Sequence, residues 1–460
     1  MRRFLRGIYI AAATVITSAA TPALAGQDEL AITTERPGPL LQFDWPAIEI
    51  GVASYEDGPT GVTVFRFPNR AVGTVDVRGG APGTYNTDNM RFGYDRPSID
   101  AIVFSGGSSY GLEAAAGVAT ALKDDGVRSG NSSNIAGVKG AIIYDFGGHR
   151  LNEIYPDKRL GQAALHAARS GVFPQGAQGA GRMAMQGWFF GCGAHSGQGG
   201  AFRQIGDTKI AAFVVVNAYG SITDRDGKLV KCHRGPNWGT LTKTGELLAH
   251  IPDSRDRYWS PAANGTPSGA NTTISLIITN RKIGWSELRR LAMQVHTSMA
   301  RAIQPFSTSD DGDTLFAVST DEVGGDKQSL IDFDTIAGEA MWDAILASVP
   351  QEPPFSPPAV PQMVAPEVLA RYAGNYSFGP NAPVKVETAD GELWATLGKI
   401  RFFDFGKDKR TALLPISEKD FYVAGRYLTR MSFSRDANGK ITGAIINPGA
   451  WRQTGIREPN

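Results

Sequence analysis

The run Val349–Pro366, VPQEPPFSPPAVPQMVAP, constrains this 460-residue chain more than any other stretch. Proline fixes φ and lacks a backbone N–H, so a segment this rich in it sustains neither a helix nor a central strand. Residues 349–366 therefore read as a semi-rigid linker. They divide the chain into a large unit, residues 26–348, and a small one, residues 367–460, each long enough for its own core. The small unit alternates short β-rich runs with turns. Val384–Val386, Glu392–Thr396, Thr411–Leu414, Ser432–Ser434 and Gly443–Ile446 are candidate strands, and Asp390-Gly391 and Asn438-Gly439 mark hairpin turns. A small antiparallel β-barrel is expected there.

The large unit mixes strand and helix patterns. Gly61–Phe67, Ile102–Phe104, Gly140–Tyr144, Ile210–Val216 and Thr273–Thr279 are short β-rich runs. Leu112–Lys123 and Gly161–Ser170 read as helices. The clearest helix starts at Ser286, which can cap it. Leu288, Leu291, Ala292, Val295, Met299 and Ile303 follow at helical spacing, and Pro305 lies past the end. That stripe reads as core, with His296 beside it as a structural residue. Glycine clusters at Arg78–Gly83, Gly106–Gly111 and Gly176–Gly200. These stretches are either ordinary tight turns or places where backbone passes close to a site.

Arg2, Arg3 and Arg6 precede the apolar stretch Ile8–Ala20, and Ala23-Leu24-Ala25 fits the small-x-small rule. Residues 1–25 thus read as a secretory signal, with the mature chain beginning near Gly26. The apolar stretch is shorter than the ~20 residues needed to span a bilayer. A periplasmic or secreted protein is expected, with no membrane attachment after signal removal. In an oxidising compartment Cys192 and Cys232 either bridge or stay as core thiols. The net charge of +1, with both signs dispersed, argues against nucleic acid as a partner. The six histidines are scattered, with no HExxH and no CxxC, so neither a metal nor a cofactor is expected.

The segment SPAANGTPSGA, Ser260–Ala270, is small, polar and rich in Gly and Pro. It reads as an exposed loop that runs straight into Asn271-Thr272-Thr273 and the apolar strand ISLIIT. A hydroxyl residue is thereby set where a loop meets a buried strand. A threonine at a chain N-terminus carries its own base, the α-amine, with a pKa of ~7.7–8.0. Attack by Thr272 on the Asn271 carbonyl would create that amine. Taken locally, Asn-Thr-Thr before a strand is also an ordinary turn and strand start.

Other blocks bear on that choice. RPGPLL from Arg36, TGVTVF (Thr60–Phe65), VGTVDVRGGAPGT (Val72–Thr84) and FSGGSSYGLEAAAGV (Phe104–Val118) come first. GAIIYDF (Gly140–Phe146), VVVNAYGS (Val214–Ser221), NTTI (Asn271–Ile274) and DDGDTLFA (Asp310–Ala317) follow in order. Over residues 36–320 the chain resembles the self-processing family that includes L-aminopeptidase D-amidase/esterase, β-peptidyl aminopeptidases and nylon-oligomer hydrolase. The resemblance implies an α/β fold, a four-layer α/β/β/α sandwich, with Thr272 opening a central strand. It implies cleavage between Asn271 and Thr272 into an α chain (26–271) and a β chain (from 272). Thr272 is then the nucleophile, Asn217 an oxyanion donor, and Tyr144 a hydroxyl at the oxyanion or substrate. Asp311 and Asp313 orient the nucleophile's amine, and Asp310 is solvated. Homo-oligomers of αβ units are implied as well.

Relatives often carry a lysine in the region GAGRMAMQGWFFGCGAHSGQGG, where this chain has Trp188 and Gln198. Trp188, Phe189 and Phe190 suit an apolar substrate, and Tyr110, Trp188 and Gln198 are candidate pocket residues. Glu113 is a candidate for a substrate ammonium, or else a helix-surface glutamate. The implied activity is hydrolysis of short peptides, aminoacyl amides or esters, or of linear ω-amino acid oligomers. An acyltransferase of the ornithine acetyltransferase type and a processed, non-catalytic binding protein are the competing classes. The stretch YAGNYSF…GELWATL…FYVAG…MSFSRDANGKITGAIINPG resembles a β-rich accessory module often appended to penicillin-binding-type serine hydrolases.

Overall fold

The computed structural model describes residues 29–91, 98–146, 154–191, 193–232, 243–249, 271–324, 328–351, 358, 360–379, 382–397, 410–423, 429–447 and 449–459. The expected signal segment 1–25, the expected loop 260–270 and Cys192 lie outside the described residues. Eight strands organise the large unit: β1 (Glu49–Tyr55), β2 (Thr60–Val77), β3 (Ser98–Ser105), β4 (Val138–Ile142), β5 (Gln198–Ile205), β6 (Thr208–Asn217), β7 (Thr272–Arg281) and β8 (Thr314–Val323). Its main helices are α1 (Leu112–Asp124), α2 (Lys158–His166), α3 (Trp285–Ser298) and α4 (Leu330–Ala347).

These strands form one continuous sheet, and β2 is the strand that runs through both of its layers. Its first part, Thr60–Arg66, pairs with β1 and β3, and its last part, Val72–Val77, pairs with β8. The register shifts between Arg66 and Ala71, where Arg70 takes a positive φ of 58°. An irregularity of this kind lets a strand bend out of one layer and into the next. One layer is then β1-β2-β3-β4, and the other is β5-β6-β7-β8-β2.

Alternation along the strands builds the layers. Ile274, Leu276 and Ile278 of β7 face inward and meet Phe65, Phe104, Phe213 and Phe316 between the sheets. The Phe65 and Phe213 rings lie 5.0 Å apart. Full burial of each such side chain contributes roughly 1.5–3 kcal/mol. Ile277 faces the other way, against Leu288, Leu291 and Val295 of α3 and Met341 of α4. On the far side Val62, Val64 and Val103 pack on Val118 of α1 and Leu160 of α2. The result is the expected α/β/β/α sandwich.

Two helix starts differ from the sequence reading. Helix α2 begins at Lys158 rather than Gly161, because the Asp157 carboxylate accepts from the Leu160 N–H and caps it. Helix α3 is capped at Gly284 rather than Ser286, with Glu287 reaching back to accept from the Gly284 N–H.

The small unit is a closed antiparallel barrel of eight strands. They are Gly374–Ser377, Pro383–Ala389, Glu392–Leu397, Arg410–Pro415, Asp420–Val423, Thr429–Arg435, Ile441–Ile446 and Gln453–Arg457. Pairing of Tyr376 with Arg457 closes it. Asp390 and Gly391 both take positive φ, as a tight hairpin turn requires. Tyr372 and Phe433 stack 4.3 Å apart in its core.

A glycine sets the contact between α2 and β1. A Cβ at Gly51 would fall 1.8 Å from the Ala164 carbonyl oxygen. Gly51→Ala is therefore expected to destabilise the fold by about 1–3 kcal/mol through overpacking. Thermal unfolding measures this, and an unchanged midpoint would show that helix and strand do not touch as described.

Candidate active site

Thr272 is the first residue of β7 and pairs with Asn217, the last residue of β6. Antiparallel pairing thus sets the two at one end of the central sheet, both buried. The Asn217 amide is oriented from both sides. Its Oδ1 accepts from the Met185 N–H at 3.0 Å, and its Nδ2 donates to the Tyr144 carbonyl at 2.8 Å. One hydrogen of Nδ2 is left over for another acceptor. Tyr144 is half-buried, and its ring packs against Phe146, which in turn meets Tyr110.

The junction itself is tightly held. Asn271 is 5% exposed and Thr272 is 2% exposed. The Thr272 hydroxyl donates to the Asn271 carbonyl oxygen at 2.6 Å, and the Gly312 N–H donates to the same oxygen at 2.7 Å. Asn271 in turn donates its N–H to the Asp310 carbonyl. Gly312 has no room for a side chain: a Cβ would lie 2.7 Å from Thr272 Oγ1 and 2.6 Å from the Ala81 carbonyl oxygen.

Asp311 and Asp313 flank Gly312 and are both about 1% exposed. Asp311 accepts from the Tyr219 N–H and from the Thr308 N–H and hydroxyl. Asp313 accepts from the Thr273 N–H at 2.6 Å and from the Ser307 N–H and hydroxyl. Burial raises the Asp311 carboxyl above its ordinary value. Burial, and then the neighbouring Asp311 charge, push Asp313 up to about 8. The loop is braced from behind, where Arg78 and Gly79 donate to the Asp313 carbonyl and Ala81 to the Asp311 carbonyl.

The remaining predicted residues separate. Asp310 is exposed, as expected. Trp188 is half-buried and covers Gly193, while Phe189 donates its N–H to the Tyr219 carbonyl, two residues past Asn217. Tyr110 is 61% exposed and stands between Phe146 and Tyr155 in an aromatic row. Gln198 is corrected: it is fully buried between the sheets. Its Oε1 accepts from the Thr63 hydroxyl and its Nε2 donates to the Pro174 carbonyl, so its amide serves the core rather than a pocket. Glu113 is an exposed helix glutamate that accepts from the Tyr155 hydroxyl and the Lys158 N–H. Cys232 is disulfide-bonded. Sequence reasoning missed Gly312, Met185 and the anchors Ser307 and Thr308. The hydroxyl pair just before the aspartates, in STSDDGD, was the one available signal.

A two-sheet sandwich with a hydroxyl residue opening a central strand is the architecture of the N-terminal-nucleophile hydrolases. Residues 43–351 match the model of peptidase family S58. The chain is 42% identical over 318 residues to a 6-aminohexanoate-oligomer endohydrolase of Paenarthrobacter ureafaciens, covering 67% of this chain and 85% of that one. It is 35% identical over 272 residues to an uncharacterised aminopeptidase of Mycobacterium bovis, covering 57% of this chain and 74% of that one. A β-aminopeptidase of a Burkholderia species is a structural neighbour at 17% identity and a TM-score of 0.48, covering 69% of this chain and 89% of that one. The chain belongs to peptidase family S58 and is an amide hydrolase of the N-terminal-nucleophile class.

The raised Asp313 carboxyl has a signed consequence for stability. The folded chain binds that proton more tightly than the unfolded chain, so the contribution is full at low pH. It is lost as pH rises from about 3.8 to about 8. In a Thr272→Ala background, which removes the hydroxyl at the junction, the stability gap between Asp313 and Asp313→Asn chains should shift against Asp313 across that window. Urea unfolding at several pH values tests this, and a gap independent of pH would contradict it.

Proposed function

We propose that the protein is an exported amide hydrolase that cuts itself between Asn271 and Thr272 and then uses Thr272 as its N-terminal nucleophile. The observation that carries the reading is the convergence of the Thr272 hydroxyl and the Gly312 N–H on the Asn271 carbonyl oxygen. The hydroxyl belongs to the residue that would attack. The N–H is a preorganised donor at the oxygen where negative charge would develop, and one such donor is worth roughly 10²–10³ in rate.

The self-cleavage balances without any added reagent except water. Thr272 Oγ1 bonds to the Asn271 carbonyl carbon, the C–N bond breaks, and the hydroxyl proton ends on the freed amine. Water then hydrolyses the ester, leaving the Asn271 carboxylate and a regenerated Thr272 hydroxyl. In turnover the α-amine takes the hydroxyl proton as Oγ1 attacks a substrate amide, and passes it to the leaving amine. Water releases the acyl group. Asn217 Nδ2 is the donor for the substrate oxyanion, and Tyr144 supplies a hydroxyl beside it.

Asp311 and Asp313 fit the same sequence of events. In the uncut chain their burial favours keeping a proton on the pair. Asp313 already accepts from the Thr273 N–H, one residue from the new terminus. An ammonium formed at Thr272 would compensate the carboxylate charge and would be oriented by it.

The preferred substrates are linear ω-amino acid oligomers, ahead of short α-peptides, aminoacyl amides and esters. The higher identity to the 6-aminohexanoate-oligomer endohydrolase favours that order. Export to the periplasm or medium, and assembly of αβ units into a homo-oligomer, belong to the same proposal.

Intact-mass analysis of purified protein is expected to give two chains, the second beginning at Thr272, and a single chain for Thr272→Ala. Gly312→Ala, which pushes against the Thr272 hydroxyl, should slow cutting at least ~10-fold. A wild-type chain still whole after prolonged incubation would sink the reading. Amide hydrolysis exceeding acyl transfer to an added amine separates it from the acyltransferase alternative, and loss of hydrolysis in Thr272→Ala separates it from a binding protein.

A further inference from the structure

The family match ends at residue 351, and the barrel lies beyond it. The barrel nevertheless touches the hydrolase unit next to the candidate site. Trp451 lies flat on His195, with ring centroids 3.9 Å apart and planes 14° from parallel. Both side chains are buried, at 7% and 2% exposure. Ala450 and Trp451 close over Ala177 and Met183. This is a flat ring-on-ring contact buried at the seam between the two units.

What His195 belongs to gives the contact its meaning. His195 pairs with Met185 in a short antiparallel ladder, Met185–Gln186 against Ala194–His195. The Met185 N–H is the donor that holds Asn217 Oδ1. The next residue, Ser196, donates its hydroxyl to the Val216 carbonyl, and Val216 donates its N–H to the Gly197 carbonyl. The Trp451 ring therefore backs the ladder that fixes both the end of β6 and the amide at its tip. An asparagine amide is nearly symmetric in shape, so its orientation is set by its partners. With Oδ1 held by Met185 and one Nδ2 hydrogen on the Tyr144 carbonyl, the second Nδ2 hydrogen is left to donate. The reversed amide would present an oxygen to a developing oxyanion and repel it.

We propose that the C-terminal barrel is a positioning element for catalysis: Trp451, through His195 and Met185, holds the Asn217 amide with its donor end toward the reacting carbonyl. Trp451 and His195 are positioning residues and touch no substrate. The inference rests on the role given to Asn217 above. It separates two steps, because the Asn271 carbonyl takes its donor from Gly312 rather than from Asn217.

The test uses the full chain and compares Trp451→Phe, which keeps a ring on His195, with Trp451→Leu, which keeps an apolar side chain there without one. Self-cleavage is timed by intact mass. The kcat and KM of the cut protein are measured on a linear 6-aminohexanoate trimer and an aminoacyl p-nitroanilide. Trp451→Leu should lower kcat ~10-fold, with KM and self-cleavage each within ~2-fold of wild type, and Trp451→Phe should restore most of kcat. A merely structural contact would lower the unfolding midpoint and leave kcat per cut chain alone. Should Trp451→Leu fail to fold, His195→Leu breaks the same stack from the other side and is read identically. Full kcat in the leucine variant, or equal loss in kcat and self-cleavage, overturns the inference. Failure of cut wild-type protein to hydrolyse either probe overturns the functional reading first, and this inference with it.

Discussion

The site depends on β7 and β8 running parallel. Parallel neighbours start at the same end, so the residues just ahead of Thr272 and just ahead of Thr314 fall together. That is why Asn271 bridges Asp311, and why the Gly312 N–H reaches the Asn271 carbonyl. On the other flank β6 runs antiparallel to β7, so the end of β6 meets the start of β7 and delivers Asn217. An all-antiparallel sheet would bring the end of β8 to the junction and carry the acidic loop to the far edge. The glycines on this edge follow from the same crowding. At Gly79 a Cβ would fall 2.2 Å from the Asp313 nitrogen, so the backbone just past β2 can brace the acidic loop only without a side chain.

Much of this was legible in the sequence because it is carried by local pattern. The strand runs, the helix stripe of Leu288, Leu291 and Val295, and the barrel hairpin at Asp390-Gly391 are decided by periodicity and turn chemistry. The clustering of Thr272, Asn217, Asp311 and Asp313 was legible only through the ordered series of blocks, since Asn-Thr-Thr taken locally is an ordinary turn and strand start. What stayed hidden was set by pairing between distant strands. Gln198 looks like a polar group free for substrate until β5 packs it against Thr63 and Pro174. Gly312 looks like a loop glycine until the parallel register brings its N–H to Asn271. The stack of Trp451 on His195 joins residues from two units, and no local pattern in either announces it.

Electrostatics couples this geometry to the proposed chemistry. Two carboxyls one residue apart, each about 1% exposed, are costly to ionise together. Five hydrogen bonds from Tyr219, Thr308, Thr273 and Ser307 main chain and hydroxyls offset part of that cost, and Ser307 adds a further hydroxyl contact at 3.3 Å. None of these donors is a cation. On the proposed reading the missing positive charge is made by the protein's own cleavage, as an ammonium at Thr272. The uncut and cut chains would then favour different protonation states of the same acidic pair. Before the cut, a retained proton makes burial tolerable. After it, the carboxylate charge and the new ammonium would stabilise each other, and an amine that must hand its proton back and forth would be held beside a group able to tune its basicity. On that reading, the burial that looks like a penalty in the uncut chain would become what keeps the nucleophile's own base in place.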